Sequence, residues 1–96
     1  MTDTGKVFEW DERKRCSNLL KHGLDFADCA AVFGRPALTW VDDRYDYGET
    51  RYVTLGVLQG KVVSLVHTVE GDFIRVISLR RANRREQAQY FQAFQD

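Results

Sequence analysis

Five arginines and no acid stand between Phe73 and Arg85: Arg75, Arg80, Arg81, Arg84 and Arg85. Screening confines each charge to about 8–10 Å, so a local basic patch binds phosphate even on a chain of zero formal net charge. The charge is unevenly spread, with residues 1–50 at net −3 and residues 51–96 at net +3. Other side chains with chemistry lie upstream. His67 has an intrinsic pKa suited to acid–base work. Glu49, two residues before Arg51, is a carboxylate beside a cation. Ser78 is a hydroxyl two residues before Arg80. Tyr45, Tyr47 and Tyr52 offer rings on which bases stack.

Several chemistries find no support. There is no H-E-x-x-H, no P-loop and no carboxylate cluster suited to Mg²⁺. Cys16 and Cys29 belong to no CxxC or Cys/His pattern and read as small side chains on helices. No metal or other cofactor is therefore expected. No apolar run approaches the roughly 18 residues of a membrane helix. Met1 to Lys6 lacks a basic-then-apolar leader pattern. The expectation is a cytoplasmic protein with no membrane contact, and 96 residues make one domain, 1–96.

The elements that must position these groups follow from pattern. Val7 to Trp10 is a short strand. Asp11 caps a helix running to about Lys21, with Cys16, Leu19 and Leu20 as its apolar stripe, and Gly23 stops it. Asp25 caps a second helix whose apolar face is Phe26, Cys29, Ala30 and Phe33, ended near Pro36. The period then changes to two. Ala37–Val41, Arg51–Leu58, Val62–Val69 and Phe73–Arg80 read as strands, with turns at Gln59-Gly60 and Gly71-Asp72 short enough for antiparallel hairpins. Asn83 with Glu86 opens a final helix, Arg84 to Phe94, in a capping-box pattern. The order is βααββββα. It predicts an α+β fold: an antiparallel sheet, two N-terminal helices on one face, and a C-terminal helix.

Turn length groups the side chains by face. Two-residue turns put Tyr52, Thr54, Val63, Leu65, His67, Val76, Ser78 and Arg80 on one side. Arg51, Val53, Leu55, Val57, Ser64, Val66, Thr68, Arg75, Ile77 and Leu79 share the other. The second set is the more apolar, so it is expected to form the core, leaving Tyr52, His67, Ser78 and Arg80 on an open face. A three-residue loop at Glu70–Asp72 would instead put His67 with Arg75.

Across nearly its whole length the chain resembles the BrnT-type toxins of bacterial toxin–antitoxin pairs. The resemblance rests on Phe8-Glu9-Trp10-Asp11 with Lys14 and Asn18, on Lys21-His22-Gly23, on Phe26, Ala30 and Val32-Phe33, on Gly48-Glu49, Arg51 and Gly56, and on Ile74 through Glu86. Leu79, Arg81 and His67 depart from the family pattern, where a small residue, lysine and tyrosine are usual. The resemblance implies a RelE-like ribonuclease fold and an RNA-cleaving toxin that arrests translation. It also implies a partner, a small BrnA-like antitoxin with its own DNA-binding domain, in a complex that represses its own operon and could form a higher-order assembly.

Metal-free RNA cleavage needs a base for the ribose 2′-OH, a cation for the transition-state charge and an acid for the leaving oxygen, and it leaves a 2′,3′-cyclic phosphate. Arg80 is the expected phosphate stabiliser, at a strand end beside a helix start. Glu49 is the candidate base, with Arg51 beside it, though the two also make an ordinary surface pair. His67 is the candidate acid or base, or a structural strand histidine. Ser78 bonds phosphate or a neighbouring strand. Arg75, Arg81, Arg84, Arg85, Tyr47 and Tyr52 are candidate RNA contacts. Arg81, Arg84 and Arg85 serve equally as a solvated helix start or an antitoxin dock, and Arg75 as partner to an acid in Asp42–Glu49. Lys21 and His22 form a second tier, since a helix C-terminus attracts cations for structural reasons. A non-catalytic RNA- or antitoxin-binding module on the same scaffold is the alternative. A DNA-binding regulator is disfavoured, because Asp25–Phe33 contains no Lys or Arg.

Overall fold

Asp11 begins the first helix as its position requires. Its Oδ1 accepts from the backbone N–H groups of Arg13 and Lys14 at 2.8 and 3.4 Å, satisfying donors that have no partner inside the helix. The computed structural model describes residues 6–94. The leader reading of Met1–Lys6 thus lies, but for Lys6, outside the described residues. The elements are β1 Val7–Glu9, α1 Glu12–His22, a 3-10 turn Phe26–Asp28, α2 Ala30–Phe33, β2 Leu38–Asp42, β3 Arg51–Leu58, β4 Lys61–Glu70, β5 Phe73–Arg81 and α3 Arg84–Ala93. Gly23 ends α1 in the left-handed region (φ 70°), where its N–H reaches Leu19 O.

The predicted second helix is shorter than its apolar spacing suggests. It splits into the 3-10 turn and a single α-turn; Phe26 and Cys29 of the expected apolar face are buried, Val32 is buried with them, and Ala30 is exposed. The sheet order is β1-β5-β4-β3-β2. β1 runs parallel to β5, so the sheet is mixed rather than purely antiparallel. Both hairpin turns hold two residues, as Leu58↔Lys61 and Glu70↔Phe73 are paired. Among the described residues no helix is long and apolar enough to cross a membrane.

The expected core face is corrected. α1, the 3-10 turn and α2 cover the side carrying Thr54, Val63, Leu65, His67 and Val76, where Phe26, Cys29 and Val32 pack at 1% exposure or less. Apolar counting failed because both sides of β3 and β4 are apolar near their hairpin. What fixes the choice is Gly56. A Cβ there would meet Val32 O at 2.7 Å, so only glycine lets α2 lie this close to β3. The second side is covered only in part. Tyr90 of α3 packs with Leu55, Val62 and Ala82 at the hairpin end, and its hydroxyl donates to Pro36 O at 2.8 Å.

A β-bulge makes a second correction. Val66 pairs with Ser78 and His67 with Val76, leaving Ile77 as an extra residue in β5. From there on β5 is out of phase with the predicted alternation. Leu79 joins Leu65 on the helix-covered side, while Ser78 and Arg80 join Val66 and Ser64 on the other. Among the described residues the outer edge of β5 beyond Arg75 carries no strand, because β1 pairs with Phe73–Arg75. Asn18 of α1 takes the strand's place. Its amide donates to Leu79 O at 2.7 Å and accepts from Leu79 N at 3.1 Å.

Candidate active site on the open sheet face

The part of the sheet that α3 leaves open holds a groove of about 350 Å³ lined by Trp40, Asp42, Arg44, Val53, Ser64, Val66, Arg80 and Glu86. Alternation along four strands puts these residues together: Trp40 and Asp42 from β2, Val53 from β3, Ser64 and Val66 from β4, and Arg80 from β5.

Arg80 meets Glu86 in a two-pronged pair, with Nη1 to Oε1 at 2.9 Å and Nη2 to Oε2 at 2.8 Å. Nη1 also donates to Arg81 O at 3.1 Å. Glu86 is held from both ends of a capping box. Its Oε1 accepts from Asn83 N at 2.9 Å, and its N–H donates to Asn83 Oδ1 at 2.8 Å. Burial raises the pKa of the Glu86 carboxyl, but the bonds from Arg80 and Asn83 outweigh it and leave the group below its usual range. The helix cap thus orients the guanidinium at the end of β5.

A second carboxylate–guanidinium pair stands across the groove. Asp42, with a side chain only 2% exposed, accepts from Arg44 Nε at 2.8 Å and Nη2 at 2.9 Å, and from the Tyr47 hydroxyl at 3.0 Å. The Arg44 bonds dominate and hold its carboxyl far below the usual carboxylate range, against the opposing effect of burial. Arg44 is largely exposed and lies near enough to influence Glu86. Between the pairs, the buried Ser64 Oγ has no hydrogen-bond partner among the described residues, a costly state that a ligand in the groove would relieve.

The rim carries more of the expected residues. Arg51 Nε donates to Glu49 at 3.1 Å, and its guanidinium carbon lies 4.1 Å above the Tyr47 ring. Glu49, Arg51 and Tyr47 therefore form one cluster, tied through the Tyr47 hydroxyl to Asp42. Ser78 follows Arg80 on the open side, and Arg75 lies opposite Thr68 on that side, further from the groove. Arg84 and Arg85 are exposed in the first turn of α3.

His67 and Tyr52 lie elsewhere. His67 is 2% exposed on the helix-covered side, where Nε2 bonds Thr54 Oγ1 at 2.8 Å. Phe33 meets it edge-on at 5.4 Å and Tyr52 stacks on it at 5.8 Å. Burial lowers its pKa and favours the neutral ring. The expected grouping of Tyr52 and His67 with Ser78 and Arg80 is thus divided by the sheet, and the bulge is the cause. Arg81 also faces the helix side, in a depression with His22, while Lys21 is exposed in the last turn of α1.

Sequence reasoning passed over Trp40, Asp42, Arg44 and Ser64, and read Glu86 as a cap alone. Asp42 enters the sequence reading only within Asp42–Glu49, as an acid that could partner Arg75. The available signal was the i, i+2 spacing of Asp42 and Arg44 at a strand end.

Fold and groove define a small α+β domain with two carboxylate-braced arginines on an uncovered sheet face, a surface suited to a phosphate-bearing ligand. Over residues 10–86 the chain matches the model of a family described as the ribonuclease toxin, BrnT, of type II toxin–antitoxin systems. It belongs to that family, and so to a class of toxins that act opposite an antitoxin partner. The search of curated proteins found no match.

Proposed function

We propose that the protein is a metal-independent endoribonuclease of RelE-like fold, a single domain that cuts RNA in the open-face groove, leaves 2′,3′-cyclic ends and inhibits translation in the cytoplasm. A BrnA-like, DNA-binding antitoxin neutralises it, and the complex represses its own operon. The observation that carries this reading is the Arg80–Glu86 pair facing Arg44–Asp42 across a groove with an unsatisfied Ser64 hydroxyl.

In this reading the scissile phosphate docks on Arg80 and Arg44. Both guanidiniums are pre-oriented by carboxylates, so they stabilise the charge of the transition state without reorganising. Ser64 and Ser78 donate to phosphate oxygens. Glu86 lines the groove and takes the 2′-OH proton once phosphate competes for Arg80; the 2′-oxygen bonds phosphorus, the P–O5′ bond breaks, and the departing 5′-oxygen takes a proton from solvent water. Glu49, on Arg51 at the rim, is the second carboxylate. Arg75, Arg84 and Arg85 guide the RNA backbone, and Tyr47 offers a stacking face. His67 supports the sheet from behind through Thr54, and Tyr52 packs on it there.

The test is cleavage of labelled RNA in EDTA. Arg80→Ala should lose about 100-fold or more in rate while keeping its fold by circular dichroism. Full activity in a folded Arg80→Ala protein would remove the central assignment. One observation favours a non-catalytic binding module instead: both Nη atoms of Arg80 are engaged by Glu86. RNA binding by the wild type with no new cyclic ends would establish that reading.

A further inference from the structure

A second concave feature lies on the opposite side of the sheet from the groove. A depression of about 630 Å³ is lined by His22, Gly23, Leu24, Leu58, Gln59, Lys61, Val63 and Arg81. Its three ionisable lining residues, His22, Lys61 and Arg81, are all basic, and no acid lines it. None of the three makes an ion pair among the described residues. Leu24, Leu58 and Val63 give it an apolar floor, with Leu58 and Val63 at 4% and 0% exposure. Gly23 leaves its wall open, since a Cβ there would meet nothing within 4 Å. A cationic rim over an apolar floor suits a nucleotide unit, with phosphate on the rim and base on the floor.

The depression and the groove take neighbouring residues of β5. Arg80 and Arg81 are consecutive in β5 and face opposite sides, Arg80 across from Ser64 and Arg81 across from Val63. Among the described residues the outer edge of β5 carries no strand beyond Arg75, and Asn18 bonds it at Leu79. A single RNA strand leaving Arg80 can therefore pass round the end of β5 onto Arg81 without meeting a paired strand.

We propose that this depression is a second nucleotide-phosphate subsite, holding a nucleotide of the RNA strand some residues away from the one bound at Arg80. The proposal rests on the ribonuclease reading and extends it to substrate length. Short RNAs occupy the groove alone, and longer ones gain the contacts of Lys61, Arg81 and His22.

The experiment uses fully 2′-O-methylated RNAs, which bind but have no 2′-OH to attack. Fluorescence anisotropy compares a 3-mer with a 12-mer on wild type and on Lys61→Ala/Arg81→Ala. Both side chains are exposed, so the variant should fold, which a thermal melt verifies, and Lys61→Arg/Arg81→Lys should restore binding. The 12-mer should weaken about 10-fold, and its salt slope should become shallower by about 1.4, from roughly 0.7 for each of two lost phosphate contacts on a single strand. The 3-mer should bind as to wild type. Equal loss on both lengths, or none on the 12-mer, overturns the proposal. So does loss of antitoxin binding alone, which would make the depression a peptide dock. A titration with uridine 5′-monophosphate, read at the His22 ring by NMR, should not saturate below about 1 mM; tighter binding would assign the site to a free nucleotide and overturn the strand version. An inactive wild type that still shows length-dependent binding would sink the ribonuclease reading and leave the subsite standing.

Discussion

Replacing Asn18 by alanine should cost this domain a large share of its stability, and the amount can be worked from the bonds lost. Asn18 is 7% exposed and makes three contacts: Nδ2 to Leu79 O at 2.7 Å, Nδ2 to Leu24 O at 3.0 Å, and Oδ1 from Leu79 N at 3.1 Å. The substitution strands the N–H and C=O of Leu79, a residue with 0% exposure. Each orphaned backbone group costs about 1–3 kcal/mol. Loss of the Leu24 bond adds about 1 kcal/mol, and water entering the vacated space returns some of the total. The expected net is about 3 kcal/mol, or roughly 12–24 °C in Tm for a domain of this size. Urea unfolding followed by the fluorescence of Trp10 and Trp40 measures it, and hydrogen exchange at the Leu79 amide locates it. Asn18→Asp supplies the control. Its carboxylate still accepts from Leu79 N but cannot donate to Leu79 O, so it should be as destabilised as Asn18→Ala at pH 7. It should recover relative to wild type near pH 4, where a protonated carboxyl regains a donor. A loss under about 1 kcal/mol for Asn18→Ala would refute the reasoning, because the β5 edge would then be satisfied without α1.

Gly56→Ala should destabilise by about 1–3 kcal/mol through overpacking against Val32 O and Cγ1, at 2.7 and 2.8 Å from the new Cβ; an unchanged midpoint in urea would mean α2 moves freely. His67 has a folded pKa below its unfolded value because burial disfavours the charge. The unfolded chain therefore binds more protons as pH falls below about 6.5, and the stability contributed by the neutral ring is lost in that direction. Thermal melts from pH 7.5 to 5 should show this slope in wild type and a shallower one in His67→Leu, and equal slopes would exclude the residue. Glu86→Gln should lower cleavage by about 100-fold and flatten the acid limb of the rate profile; a normal rate would hand the base role to Glu49.

Local chemistry made much of the fold legible. Asp11, Gly23 and Asn83 with Glu86 mark helix ends because a cap acts within three or four residues. Gln59-Gly60 and Gly71-Asp72 fix hairpin register for the same reason. What was not legible depends on distant partners. The parallel pairing of Val7 with Phe73 spans most of the chain and has no local signature. The bulge is invisible because Val76 and Ile77 are both apolar, so either one suits the covered side. Arg80 was found from charge alone. Its companions Asp42, Arg44 and Ser64 were not, because only the pairing of four strands gathers them.

The bulge at Ile77 has a consequence for reading relatives of this chain. It acts as a parity switch for the four residues that follow it. A homologue one residue shorter between Phe73 and Arg80 would keep the same string of arginines and still present the wrong one to the groove. Position-by-position identity at Arg80 and Arg81 is therefore weak grounds for transferring a role. The safer coordinate is the number of residues separating the strand-pairing partner of His67 from the arginine in question, odd or even. The same parity gives a protein engineer a lever: deleting Ile77 should exchange the two arginines between the faces of the sheet without altering the charge of the chain.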